Sequence, residues 1–126
     1  MAENLAQLGV AYVDLALLHH PCDRGDPSTE PKIDTALWTG LVAAQKAGLV
    51  KSIGVSNYDA AQLAAVSWGP VKPAVNQCHM SVGKHDDPTI DYCLKNGIAY
   101  EARALLCCCF VCCFACSLLF SFTCPL

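Results

Sequence analysis

The sequence predicts an α/β fold, specifically part of a (β/α)8 barrel with about four strands and the helices that cover them. Strands that alternate with helices form βαβ units, and consecutive units of this kind build a parallel sheet. The chain contains no G-x-G-x-x-G or P-loop motif, which favours a barrel over a doubly wound nucleotide-binding sheet. Four nearly continuous apolar runs, as expected for strands covered on both faces, alternate with helical patterns and lie at residues 12–18, 52–55, 74–77 and 98–102.

The first strand is followed by a predicted loop and then by a predicted helix. Proline and glycine punctuate the loop as far as Pro31. Residues 34–47 then repeat apolar side chains at helical spacing, and Gly48 is a suitable stop after that helix. This segment is therefore predicted to be one of the helices that cover the strands.

Two further helices are predicted between the later strands. A short one is expected from Asp59 to about Ser67, where the sequence has a narrow apolar face. The segment at residues 87–96 has clearer boundaries. Its signals are Asp87 as N-cap, Pro88 at the first helical position and Gly97 after the last turn.

Composition divides the chain near residue 103. All nineteen charged residues lie at or before Arg103, whereas seven of the ten cysteines and all four phenylalanines follow it. We therefore expect one domain over residues 1–103. Residues 104–126 are expected to form an uncharged Cys/Phe-rich C-terminal segment that is not part of the domain.

Charge and the N-terminal sequence limit the class of protein. A formal net charge of −3 argues against a nucleic-acid partner, because such a partner requires a basic face. The first ten residues lack a basic region followed by an apolar stretch, so no secretory signal is expected. A cytoplasmic location with reduced cysteines is therefore predicted.

The C-terminal segment, residues 104–126, leaves three interpretations open. It has about the length of roughly 20 residues that crosses a membrane, so it is the one part of the chain that predicts membrane anchoring. Its C-x-x-C spacings, Cys109/Cys112 and Cys113/Cys116, resemble those of zinc sites, but no histidine or carboxylate accompanies them and we predict no metal. The abrupt change in composition favours the third interpretation, translated sequence from another frame or an intron.

Polar side chains end every apolar run. In parallel α/β folds the carboxyl ends of the strands meet at one edge, where the chemistry gathers. Taken singly, each residue has another explanation, such as a helix cap, a solvated loop residue or an exposed histidine. Together they predict a site formed by His19-His20, Ser56-Asn57, Asn76-Gln77 and Arg103.

Four segments occur along the chain in the order LGVAYVDLALLHHP, GLVKSIGVSNYDAAQL, KPAVNQ and YCLKNGIAYEA. This order resembles the aldo-keto reductases over the span from about Leu5 to Ala102, and SIGVSNY is its most specific part. The resemblance implies a TIM barrel and a NADP-dependent oxidoreductase. Its expected reaction is the reduction of aldehydes and ketones to alcohols with NADPH, on a small-molecule carbonyl substrate.

The resemblance also implies roles for four residues. His19 matches the catalytic histidine that donates a hydrogen bond to the carbonyl oxygen. Ser56, Asn57 and Gln77 match the residues that bind the nicotinamide carboxamide, and hydroxyl and amide groups suit such a ligand because it has both donors and acceptors. Arg103 departs from the pattern, since the family usually places there an aromatic residue that stacks on the nicotinamide.

The resemblance covers four strands, which correspond to the fourth to seventh of a barrel of about 250 residues. The Asp, Tyr and Lys of the family's catalytic set, and the loop for the 2′-phosphate, have no match in this chain. A truncated and inactive form of such a reductase is therefore expected. The alternatives left open are a non-catalytic cofactor- or partner-binding module of the same fold and a tail-anchored membrane protein.

Overall fold

A computed structural model describes residues 1–22, 30–81, 83–103 and 121–122 of the chain. Helices and strands alternate from the first residues to the end of the fourth strand. The elements, in chain order, are α1 (Ala2–Leu8), β1 (Val13–Leu18), α2 (Glu30–Lys46), β2 (Val50–Ser56), α3 (Ala60–Ala65), β3 (Val75–His79), α4 (Asp87–Asn96), β4 (Ala99–Arg103) and β5 (Ser121–Phe122).

Within the described residues the strands form one parallel sheet in the order β4-β3-β2-β1-β5. From β1 to β4 the order in the sheet follows the order in the sequence. A doubly wound sheet would reverse its strand order at a switch point, whereas a (β/α)8 barrel does not. The predicted fold class, a partial barrel of about four strands with covering helices, is confirmed.

The short strand β5 belongs to the C-terminal segment that was predicted to lie outside the domain. It pairs in parallel with Leu17 and Leu18 of β1. The remaining residues of the segment, including its C-x-x-C cysteines, lie outside the described residues, so the proposed division at residue 103 stays a prediction. Among the described residues no helix is long and apolar enough to cross a membrane.

Helix α2 begins four residues before its predicted start, at Glu30 instead of residue 34. The prediction placed Pro31 in the loop, but proline is tolerated in the first turn of a helix because the N–H it lacks would have no helical partner there. The Thr35 hydroxyl donates to the Pro31 carbonyl at 2.6 Å. The predicted stop is confirmed, since Gly48 has a φ of 74° just after the helix.

Helices α3 and α4 both follow aspartate N-caps. Asp59 caps α3 and forms a capping box with Gln62, so α3 spans Ala60–Ala65 and is shorter than predicted. In α4 the N-cap is Asp86 and not the predicted Asp87, because the Asp86 carboxylate accepts from the Thr89 backbone N–H at 3.2 Å. The predicted cap is therefore the first helical residue, and the following proline occupies the second position instead of the first.

The core is built on the aliphatic side chains of β1 and β2 and the helices that cover them. Trp38 of α2 is 1% exposed, and its indole N–H donates to the Val71 carbonyl at 2.8 Å. Its ring packs edge-on against Trp68 with centroids 5.0 Å apart. The buried cluster comprises Ala16, Leu18, Trp38, Leu41, Val50, Ile53, Val55, Tyr58, Leu63, Val66, Cys93 and Ile98.

Candidate functional site

The carboxyl ends of β1 to β4 meet at one edge of the sheet, as the parallel strands require. Ser56, the last residue of β2, is in register with Gln77 of β3, and Gln77 is in register with Glu101 of β4. Arg103 ends β4, and His19 directly follows β1. We refer to these side chains as the strand-end cluster, which consists of His19, Ser56, Asn57, Gln77, Glu101 and Arg103.

Ser56 is fully buried, and its hydroxyl is engaged within the sheet. Its Oγ donates to the Gln77 carbonyl oxygen at 2.7 Å, which ties the end of β2 to β3. The same oxygen accepts a hydrogen bond from the Asn57 amide at 3.0 Å. The hydroxyl hydrogen therefore serves the fold, and Ser56 positions its neighbours.

Asn57 connects the ends of three strands. Its φ of 61° is left-handed, a conformation that asparagine tolerates better than most residues. This backbone turn points the amide across the strand ends, where Nδ2 donates to the His19 carbonyl at 2.7 Å. Its Oδ1 accepts from Nη2 of Arg103 at 2.9 Å. The helix that follows is capped by Asp59, so Asn57 is not required as a helix cap.

Arg103 joins the cluster, although the sequence identified it as the point of departure from the family pattern. Its guanidinium reaches from β4 past β3 to the side chain that follows β2. The side chain is half-buried, and its Nε is buried without a hydrogen-bond partner among the described residues. A cation is thereby fixed against one of the predicted carboxamide-binding side chains.

Gln77 is buried, and its amide lies beside an acidic residue that sequence reasoning missed. Nε2 of Gln77 donates to Oε1 of the exposed Glu101 at 2.7 Å. A signal for this contact exists in the spacing of β4, because Glu101 and Arg103 are two residues apart and therefore share a face. The register that brings Glu101 opposite Gln77 depends on pairing between distant segments.

Asn76 and Gln77, which were predicted to join the site together, face opposite sides of the sheet. Successive residues of a strand point to opposite faces, and both residues lie inside β3 instead of at its end. Asn76 is fully buried, and its Nδ2 donates to the Tyr58 carbonyl at 2.8 Å. On that face burial, as the leading cause, raises the pKa of Tyr100 to about 12. Asn76 thus supports packing, and Gln77 alone joins the strand-end cluster.

His19 is half-buried and electrostatically disposed to stay neutral. Burial lowers the pKa of its imidazole below the usual 6.5, and the neighbouring His20 and then Arg103 lower it further. The two histidine rings lie 4.2 Å apart between centroids at an angle of 49°. A neutral imidazole keeps one N–H donor and one acceptor nitrogen, so His19 can donate a hydrogen bond without carrying charge.

The cluster keeps hydrogen-bonding capacity that suits an amide ligand. An amide oxygen has two lone pairs and can accept two hydrogen bonds. The Oδ1 of Asn57 accepts one from Arg103, so one acceptor site remains on that atom. Among the described residues, Gln77 keeps its Oε1 and one of its two N–H groups unengaged. A primary carboxamide offers two N–H donors and one oxygen acceptor, which matches two acceptors and one donor. The residues present therefore fit a carboxamide, with Gln77 and Asn57 as its contacts.

No group of three or more potential metal-binding side chains is found within the described part of the chain. Two buried cysteines of that part, Cys78 and Cys93, are free thiols. Burial raises the pKa of both the Cys78 and the Cys93 thiol, which disfavours the reactive thiolate. The described strand ends present histidine, amide, hydroxyl and charged side chains.

The sequence model of the aldo/keto reductase family matches residues 1–107. An aldo-keto reductase of Bombyx mori, AKR2E4, is 35% identical over 104 residues, which are 81% of this chain and 34% of that protein. An NAD/NADP-dependent indole-3-acetaldehyde reductase of Schizosaccharomyces pombe is 38% identical over 103 residues, 79% of this chain and 35% of that protein. The chain spans about a third of the length of these relatives.

Solved structures agree with this similarity. An aldo/keto reductase from Brucella melitensis superposes with a TM-score of 0.71 at 31% identity, over 82% of this chain and 38% of that one. The Bombyx mori enzyme AKR2E4 in complex with NADP superposes with a TM-score of 0.67 at 32% identity, over 82% of this chain and 34% of that one. Both comparisons place the described fold within a larger barrel.

Proposed function

Because the chain belongs to the aldo/keto reductase family, we propose that its strand-end cluster binds the nicotinamide end of NADPH beside a small-molecule carbonyl compound. When bound, the cofactor supplies the hydride for reduction of an aldehyde or ketone to an alcohol. The proposal rests on one observation: among the described residues, Gln77 keeps a donor and an acceptor without a hydrogen-bond partner, and Asn57 keeps one acceptor site. Both lie at the same strand ends as His19, whose lowered pKa favours the neutral form. The NADP complex of the Bombyx mori relative supports the choice of cofactor.

In this proposal Gln77 and Asn57 orient the nicotinamide ring through its carboxamide. Gln77 would donate one N–H to the carboxamide oxygen, and its Oε1 would accept a carboxamide N–H. The second lone pair of Asn57 Oδ1 would accept the other N–H of the carboxamide. Ser56 contributes indirectly, because its hydroxyl fixes the Gln77 backbone and accepts from the Asn57 amide.

His19 is the proposed catalytic residue of this chain. A neutral imidazole donates its N–H to the carbonyl oxygen of the substrate, which polarises the carbonyl bond and fixes its orientation. The lowered pKa keeps the imidazole neutral at pH 7. Arg103 and His20 disfavour a second positive charge at this position, so the hydrogen bond and not a proton transfer is the expected contribution.

We further propose that the chain by itself binds cofactor without efficient turnover. A positioned general acid typically contributes 10²–10⁴-fold to the rate. The tyrosines are poorly placed for that role: Tyr12 begins the approach to β1, Tyr92 lies on α4, and Tyr58 is 1% exposed within the core. The Tyr100 hydroxyl has a pKa of about 12 on the opposite face of β4, so it resists ionisation.

The test is a titration of the full chain with NADPH, followed by quenching of tryptophan fluorescence. Gln77→Ala removes the Oε1 acceptor and the N–H that Gln77 does not donate to Glu101. We expect it to weaken NADPH binding by at least about tenfold, the equivalent of one to two hydrogen bonds. Gln45→Ala is the matched control, because Gln45 binds the Lys51 carbonyl at the amino-terminal end of β2. Equal affinities for both variants and the unchanged chain would contradict the proposal.

Turnover is measured separately, as NADPH oxidation with a generic aliphatic aldehyde. Little or no reduction is expected from the unchanged chain. Clear turnover that His19→Ala abolishes would show a competent reductase and refute the binding-only part of the proposal. The alternative, a non-catalytic cofactor- or partner-binding module of the same fold, is favoured by the same outcome of binding without reduction.

Three further assignments belong to the proposal. Residues 1–103 form the reductase-like domain, residues 104–126 lie outside it, and the protein is cytoplasmic. Membrane anchoring through residues 104–126 is the competing assignment. The two assignments are tested by fractionating cells that express either the full chain or a chain ending at Arg103. If only the full chain sediments with membranes, anchoring through residues 104–126 is favoured.

A further inference from the structure

We propose that Arg103 makes the nicotinamide subsite distinguish the redox state of the cofactor, so that the chain binds NADPH more tightly than NADP⁺. This inference rests on the proposed function, because it requires the carboxamide to lie against Asn57 and Gln77. It goes beyond that function by assigning a specificity role to a residue that the family pattern does not supply. The two cofactor forms carry the same phosphates and differ by one positive charge on the ring.

In the proposed complex the guanidinium would lie close to the nicotinamide ring. Nη2 of Arg103 lies 2.9 Å from Oδ1 of Asn57, the atom that accepts a carboxamide N–H in the proposed complex. A hydrogen bond adds about 2.9 Å, so the carboxamide nitrogen lies at most about 6 Å from Nη2. The ring is bonded to that carboxamide. Its charge, when oxidised, therefore lies between a few ångströms and roughly 10 Å from the guanidinium.

The positive charge of Arg103 is permanent and is not balanced by an ion pair. A guanidinium stays protonated at all physiological pH values. Among the described residues Arg103 forms no salt bridge, and its one side-chain hydrogen bond goes to the neutral Asn57 amide. Arg103 also contributes, after burial and His20, to the lowered pKa of His19 at the carboxyl end of β1.

Glu101 is the carboxylate that opposes this field. It lies on the same face of β4, two residues deeper in the strand, or about 6–7 Å along it. Its side chain is exposed and hydrogen-bonded to Gln77, whereas Arg103 is half-buried. Water and salt screen an exposed charge more effectively than a half-buried one, so the guanidinium dominates at the ring. His79, in register with Arg103, is exposed and adds no negative charge.

Coulomb repulsion gives the size of the effect. Two unit charges about 8 Å apart in an effective dielectric of about 30 repel by an amount equivalent to roughly tenfold in binding. We therefore expect the dissociation constant for NADP⁺ to exceed that for NADPH by on the order of tenfold at low ionic strength. The ratio should approach one as salt is added.

The test compares dissociation constants for NADPH and NADP⁺ by isothermal titration calorimetry on the full chain at low salt. Arg103→Gln removes the charge and keeps a polar amide, so the NADP⁺/NADPH ratio is expected to fall to about one or lower, because the Glu101 carboxylate remains. Arg103→Lys keeps the charge and is expected to keep most of the ratio. Lys46→Gln is the control, because Lys46 is an exposed cation at the end of α2, before β2 begins.

Glu101→Gln provides an arm of opposite sign and is expected to increase the ratio. A ratio near one in the unchanged chain, or a ratio that Arg103→Gln leaves unaltered, would overturn the inference while the proposed function stands. Failure to bind either cofactor form would overturn the proposed function itself. If the Arg103 variants do not fold, the inference is tested on the unchanged chain by measuring the NADP⁺/NADPH ratio of dissociation constants at increasing salt. A ratio that does not change with salt would contradict an electrostatic origin.

Discussion

Replacement of Asn57 by glycine measures how strongly one side chain holds the strand ends together. Glycine adopts the observed φ of 61° without steric cost, so the turn after β2 is preserved. The substitution removes three side-chain hydrogen bonds, which run to the His19 carbonyl, the Ser56 hydroxyl and the Arg103 guanidinium. The change in stability therefore reports the contacts and not a backbone strain.

The expected magnitude follows from these contacts. A hydrogen bond contributes about 0.5–1.5 kcal/mol net, and one to a charged group about 1.5–3 kcal/mol. The half-buried position of Asn57 favours the lower part of these ranges. Glycine loses more backbone freedom on folding than asparagine, but it adopts the left-handed conformation without strain, so these two effects largely cancel. We expect Asn57→Gly to lower the free energy of unfolding by about 3 kcal/mol.

The assay is urea unfolding of the full chain, followed by the fluorescence of Trp38 and Trp68, which pack against each other in the core. Asn96→Ala is the control, because Asn96 donates a single hydrogen bond to the Tyr92 carbonyl at the end of α4. That control should cost about 1 kcal/mol or less. If Asn57→Gly costs no more than Asn96→Ala, Asn57 does not connect the strand ends energetically and the reasoning fails.

Two further predictions concern packing and pH. Gly54→Ala should lower the free energy of unfolding by about 1–3 kcal/mol, because its new Cβ would lie 2.6 Å from the Val75 carbonyl oxygen and 2.8 Å from Leu17 Cδ2. Gly40→Ala, at an exposed position within α2, should raise it by about 0.5–1 kcal/mol. The reverse order of stability in urea unfolding would contradict the packing around Gly54. The His19 imidazole should titrate below pH 6.5 by NMR, and a midpoint at or above 6.5 would contradict its environment. The folded state then binds fewer protons at His19 than the unfolded state does. The contribution of His19 to stability is therefore complete above pH 6.5 and is lost as the pH falls toward the pKa of the folded state. His19→Gln should remove this part of the pH dependence of the free energy of unfolding, measured by urea unfolding.

The sequence was a good guide to the strands because each one is a short apolar run followed by polar residues. That pattern located β2 within two residues at its start and one at its end, since Val50–Ser56 replaces the predicted 52–55. For β3 the end was the less accurate boundary, because the strand spans Val75–His79 instead of the predicted 74–77. A run that ends in Asn-Gln-Cys-His offers no change of composition that marks where the strand stops.

The site was predicted in part for the same reason. Ser56 and Asn57 could be placed from the strand end, and Gln77 from the resemblance. Alternation along a strand requires Asn76 and Gln77 to face opposite ways, so the sequence already contained the information that only one could join the site. Arg103 was placed at its strand end, but its contact with Asn57 could not be predicted, because it depends on an arginine long enough to pass β3. Glu101 was missed, because its contact with Gln77 depends on the β3–β4 register.

The three residues matched to the carboxamide site have unequal freedom to bind a ligand. The Ser56 hydroxyl is buried and donates to a backbone carbonyl, so it serves the sheet. Asn57 uses both amide hydrogens and one lone pair on the fold, which leaves a single acceptor site. Gln77 keeps a donor and an acceptor, but Glu101 fixes the orientation of its amide through the other N–H. Most of the affinity for a carboxamide should therefore depend on Gln77, and Glu101 should affect binding by orienting that amide as well as through its charge.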